Sequence, residues 1–124
     1  EETIRFEFEK APRSCFNIGQ GAYSFTLMCT KMSSAAVHLY SDYVNSIGLL
    51  PNKTDISQID ADQAAEYLVP NRDLPLNEKS KFVIMNKNGA LLVGQAKAIV
   101  CDSWPDNDKS SFIEFSYRIL IEEN

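Results

Sequence analysis

The chain has 124 residues, 44% hydrophobic and 23% charged, with a formal net charge of −5. That length and balance fit one globular domain, residues 1–124, with its own core, and exclude a disordered chain. The twelve basic residues are scattered, which argues against a phosphate-wrapping surface and hence against nucleic acid, and no apolar run approaches the about 20 residues of a membrane span.

The chain opens at Glu1 rather than Met, which leans towards a cleaved leader and an exported protein, periplasmic or secreted. Residues 3–10 alternate, with Ile4, Phe6 and Phe8 against Arg5, Glu7 and Glu9, the period-2 pattern of a half-buried strand that Pro12 ends. A short run from Cys15 to Ile18 and a longer one from Tyr23 to Thr30 read as two more strands, separated by the Gly19-Gln20-Gly21 turn. The texture then changes. Ser33-Ser34 suits a helix N-cap, and Ala36, Tyr40, Tyr43, Val44 and Ile47 fall at helical spacing before Gly48 and Pro51. This predicts the main helix over 34–47, with Gly48 as its C-terminal stop.

Asp60 with Gln63 forms a capping-box signature, which predicts a short second helix over 61–68, ended by Pro70. Residues 70–80, rich in Pro, Asn and Asp, read as a connecting loop. Residues 81–86 read as a strand, Asn88-Gly89 as a tight type I′ hairpin turn, and 90–101 as the returning strand. After a polar loop, residues 111–122 alternate strictly. Ile113, Phe115, Tyr117, Ile119 and Ile121 are expected to face the helix from a central or near-central strand. The predicted fold class is therefore α+β. A mostly antiparallel sheet of about five to six strands carries the helices 34–47 and 61–68 on one face, in the order β-β-β-α-α-β-β-β.

Few residues carry a recognisable chemistry. The Gly-rich turn at 19–21 superficially resembles the nucleotide loop of protein kinases over six or seven residues, and none of the other kinase motifs follows. His38 is the only histidine, so any Ser-His-Asp or Cys-His machinery would have to use it. Cys15, Cys29 and Cys101 include no C-x-x-C pair, and their spacing leaves any disulfide pairing open. The run Asp106-Asn107-Asp108 begins like a calcium loop but lacks the glycine and the final glutamate of one. No metal and no cofactor is expected. Asn52-Lys53-Thr54 is a glycosylation triplet of a kind that chance supplies readily.

The most distinctive segment holds Asp102, Trp104, Asp106 and Asp108, with the chain's single tryptophan beside Pro105. Tryptophan anchors interfaces and carboxylates complement a basic partner, so these four residues are the candidate partner-binding site. The expectation is a non-enzymatic protein-binding domain, a small acidic inhibitor or immunity-type protein that blocks a basic enzyme or toxin. The alternative is an exported structural or surface-assembly subunit that associates through edge strands, residues 3–9 among them.

Overall fold

A computed structural model describes residues 2–101 and 111–121. Its architecture is two antiparallel sheets packed face to face. The first has the order β1-β9-β8-β7-β5, built from β1 (Glu2–Phe6), β5 (Ser46–Leu50), β7 (Lys81–Met85), β8 (Leu91–Val100) and β9 (Phe112–Leu120). The second has the order β2-β3-β4-β6, from β2 (Cys15–Ile18), β3 (Phe25–Ser33), β4 (Ala36–Tyr40) and β6 (Asp73–Asn77). One short helix, α1 (Ala61–Ala65), lies between β5 and β6 in the chain.

The α+β expectation is thus overturned. The predicted helix 34–47 is absent: this stretch is the β3–β4 turn, β4, a turn and the start of β5. The same residues carry two periodicities. Ala36, Tyr40, Tyr43, Val44 and Ile47 fit a helical stripe, while Val37 and Leu39 alternate with Ala36, His38 and Tyr40. The window is rich in β-branched and aromatic residues, and neighbours on both sides decide the matter. Val37 and Leu39 are fully buried opposite Lys31 and Cys29 of β3 and opposite Leu76 and Leu74 of β6.

Gly48 is no helix stop. It sits inside β5, where a side chain would run into the Tyr67 carbonyl, because the backbone of residues 67–69 crosses there and Val69 N–H donates to the Ile47 carbonyl at 2.9 Å. The expected loop 70–80 contains β6. Leu74 and Leu76 point inward, and Pro75 is tolerated because β6 is an edge. The second helix is shorter than the predicted 61–68, but the capping box forms: Asp60 Oδ1 accepts from Gln63 N–H at 2.8 Å and Gln63 Oε1 accepts from Asp60 N–H at 3.2 Å.

The C-terminal hairpin is present with a different turn. Asn86 N–H donates to the Ala90 carbonyl and Gly89 N–H to the Asn86 carbonyl. Gly89 has φ +85° and Asn88 does not share the left-handed region, so the loop is a type I turn plus a glycine bulge rather than type I′. Buried Asn86 locks this corner. Its Nδ2 donates to the Ala22 and Ser24 carbonyls and its Oδ1 accepts from Asn88 and Ala90 N–H, so all its polar capacity is used.

β9 lies between β1 and β8, and its Ile113, Phe115 and Tyr117 face the second sheet rather than a helix. The core between the sheets is aromatic-rich, with Phe8, Phe25, Phe82 and Phe115 fully buried. Gly94 stands opposite Phe82, and a Cβ there would lie 2.5 Å from the Phe82 ring, so the missing side chain is the seat of that ring.

A smaller apolar cluster lies on the far face of the five-stranded sheet. Val83, Leu91, Val93 and Leu120 meet Leu50, Ile56, Ile59 and Ala64. Residues 51–68 thus form a roof over that sheet. Two cations pin it: Arg118 donates to the Ile56 and Ile59 carbonyls at 2.9 and 2.6 Å, and Lys81 donates to the carbonyls of Asn52 and Thr54. The molecule therefore has three layers, with the four-stranded sheet open to solvent on its outer face.

Candidate functional site

That open face is built by register. Directly opposed residues in antiparallel strands share a face, so the pairings place Cys15, Met28, Tyr40 and Asp73 in one row and Thr30, His38 and Pro75 in another, with Asn17 beside Thr26. All of these side chains are half-buried or exposed, while the alternate residues point into the core.

Side chains here hold one another. The Tyr40 hydroxyl and Thr30 Oγ1 are 2.8 Å apart. Arg72 grips Asp42 through two bonds, Nε to Oδ1 and Nη2 to Oδ2, both 3.1 Å, and its guanidinium lies 5.6 Å from the Tyr40 ring centre. His38 Nδ1 lies 3.0 Å from Asp73 Oδ2, with the His38 ring tilted against Tyr40 at 5.9 Å. Ser41 fixes the segment that carries Arg72: its N–H donates to the Arg72 carbonyl at 2.7 Å and its hydroxyl reaches the Asn71 and Arg72 carbonyls. The hydrogen bond from Arg72 holds the Asp42 carboxyl below the ordinary carboxylate range. At Cys15 burial pushes the thiol up, against the opposing influence of Arg13.

The four sequence-predicted residues, Asp102, Trp104, Asp106 and Asp108, lie outside the described residues. Their flanks are placed. Cys101 and Ser111 are buried, and Cys101 donates from N–H to the Ser34 carbonyl at 3.1 Å and from Sγ to the Ala36 carbonyl at 3.6 Å. Cys101 therefore lies beside the β3–β4 turn.

His38 belongs to β4, not to a helix. No disulfide joins Cys15, Cys29 and Cys101, and burial pushes the Cys29 thiol up to about 12. Among the described residues no group of three or more His, Cys, Asp or Glu side chains is placed to hold a metal ion, and no helix is long and apolar enough to cross a membrane. Sequence reasoning missed Tyr40, Asp42, Arg72 and Asp73. Arg72 and Asp42 are thirty residues apart, and only the β4–β6 register brings their segments together.

No protein-family model, no curated protein and no solved structure matches this chain.

Proposed function

We propose that this chain is a non-catalytic protein-binding domain, a small acidic inhibitor or immunity-type protein that blocks a basic enzyme or toxin. The observation that carries it is the open face of the four-stranded sheet, where Tyr40 is bracketed by Arg72 and Thr30 with Asp42 and Asp73 alongside. Tyrosine and arginine are the residue types that dominate binding energy at interfaces. Side chains already held by neighbours lose less freedom on docking. The two carboxylates offer acceptors to a basic partner, and the net charge of −5 favours its approach. Asp102, Trp104, Asp106 and Asp108 form the second candidate contact, on the strength of their residue types.

Capture from the source's own lysate and secretions, with mass spectrometry of what is retained, tests this. The expected result is one basic hydrolase or toxin, inhibited at equal stoichiometry by the parent chain. Tyr40→Ala with Arg72→Ala, or Trp104→Ala with Asp102, Asp106 and Asp108→Asn, should abolish its retention. Retention of nothing but further copies of this chain would sink the proposal.

A second reading, association through edge strands, is favoured by one observation: among the described residues nothing pairs with the outer edge of β1.

A further inference from the structure

Asn88-Gly89 is the one place in the sequence where glycine follows asparagine. Such a pair carries a latent reaction of its own. The Gly89 nitrogen, once it gives up its proton, attacks the Asn88 side-chain carbonyl. A C–N bond forms, the Cγ–Nδ2 bond breaks, and Nδ2 takes up a proton and leaves as ammonia, closing a succinimide ring. Water then opens the ring at either carbonyl and leaves aspartate or isoaspartate at position 88. Glycine in the following position offers no side chain to hinder ring closure.

Among the described residues nothing crowds this pair. Asn88 and Gly89 are exposed, and a Cβ on Gly89 would meet no atom within 4 Å. What restrains the reaction is the turn. Gly89 N–H donates to the Asn86 carbonyl at 3.1 Å, so the attacking nitrogen keeps its proton in a hydrogen bond. Asn88 is the second central residue of a type I turn, where ψ is about 0°. At that ψ the Gly89 nitrogen is rotated away from the Asn88 side chain, and ring closure needs a large rotation that pulls Gly89 N–H off Asn86. Asn86 resists it from both sides. Its Oδ1 accepts from Asn88 N–H at 3.0 Å and from Ala90 N–H at 2.9 Å. Asn86 is itself only 3% exposed, anchored through Nδ2 to the Ala22 and Ser24 carbonyls.

We propose that Asn88 is a modification site held unreactive by the Asn86 lock, and that it converts to isoaspartate when this hairpin corner opens. Local opening exposes a segment without unfolding the whole chain, and chemical change of the opened form is not undone by closing. Isoaspartate routes the main chain through the former side chain. It therefore adds one carbon to the turn, displaces the Gly89 and Ala90 N–H groups from Asn86, and sets a carboxylate where a neutral amide stood. Asn86 also ties the β7–β8 hairpin to the β2–β3 connection of the other sheet. Modification at position 88 thus weakens a link between the two sheets and favours further opening.

Incubation of the full chain at mildly alkaline pH, with peptide mapping of position 88 by chromatography and mass spectrometry, tests this. The folded chain should convert at least about tenfold more slowly than the same chain unfolded in denaturant, and Asn86→Ser should regain about tenfold in rate while still folded. Amide exchange on the unsubstituted chain guards against a variant that misfolds. Below the unfolding midpoint, Gly89 exchange and conversion of Asn88 should rise together as denaturant is added. Equal rates in the folded and unfolded chains overturn the proposal, because the turn then protects nothing. Conversion that ignores Gly89 opening, or a folded Asn86→Ser chain as slow as the parent, overturns the lock. An unfolded chain that leaves Asn88 intact overturns Asn88 as the site.

Discussion

The outer face of the five-stranded sheet is roofed by residues 51–68, whereas the outer face of the four-stranded sheet meets solvent, and the two faces are held by different forces. Under the roof, buried aliphatic side chains do the work, and Lys81 and Arg118 spend their donors on backbone carbonyls of the roof. On the open face, side chains bond to side chains, and Arg72 remains 72% exposed while it holds Asp42. Buried contacts of the first kind carry stability, and exposed pairs of the second kind carry little. The roofed face is therefore structural, and the open face is free to be shaped for recognition.

The comparison predicts a graded series. Ile56→Ala, which empties a buried position under the roof, should cost about 3 kcal/mol in denaturant unfolding. A change below about 1 kcal/mol would mean that the roof is not packed on the sheet. Gly48→Ala comes next, at about 2 kcal/mol, because the new methyl meets the Tyr67 backbone rather than a yielding side chain. A wild-type midpoint for this variant would show that residues 67–69 do not press on β5. Arg118→Met keeps the aliphatic stem and removes the donors to Ile56 and Ile59, for about 1–2 kcal/mol. Amide exchange should then accelerate in residues 52–65 and not in β3 or β4, and equal acceleration in both places would refute the layered account.

The smallest effect belongs to the open face. Arg72→Ala should leave the unfolding midpoint at neutral pH nearly unchanged. It should also return the Asp42 carboxyl to the ordinary carboxylate range, read by carbon NMR titration. The sign follows from the depressed value. The pairing adds stability above the carboxyl's unfolded pKa and loses it as pH falls through the lower folded one. In the parent, a slight acid-side loss is expected that the variant lacks, and an identical acid limb in both chains would show that the pair has no folding role.

Much of the strand content was visible in the sequence, because alternation in β1, β3 and β9 is a local property. So was the capping box at Asp60 and Gln63, which needs only four consecutive residues. The segment 34–50 was not legible, because its apolar residues satisfy a period of 3.6 and of 2 over different subsets. β6 was hidden behind Pro75 and its polar flanks. Of the proposed contact residues, Trp104 and its aspartates stand out by composition alone. The Tyr40–Arg72–Asp42 arrangement does not, since each residue is ordinary until β4 and β6 are paired.

The sequence by itself determined an acidic chain with a sizeable core, the positions of most strands, the start of the helix and the hairpin around Gly89. The tertiary structure decided what was made of them: two sheets instead of one, strands where a helix was expected, Gly48 and Gly94 as points of close approach, and one face roofed while the other stays open. The physical reason is range. Propensity, capping and turn chemistry act within a few residues, while choosing between competing periodicities, and deciding which face is covered, depends on the neighbouring strands that fill the backbone hydrogen bonds and bury the side chains.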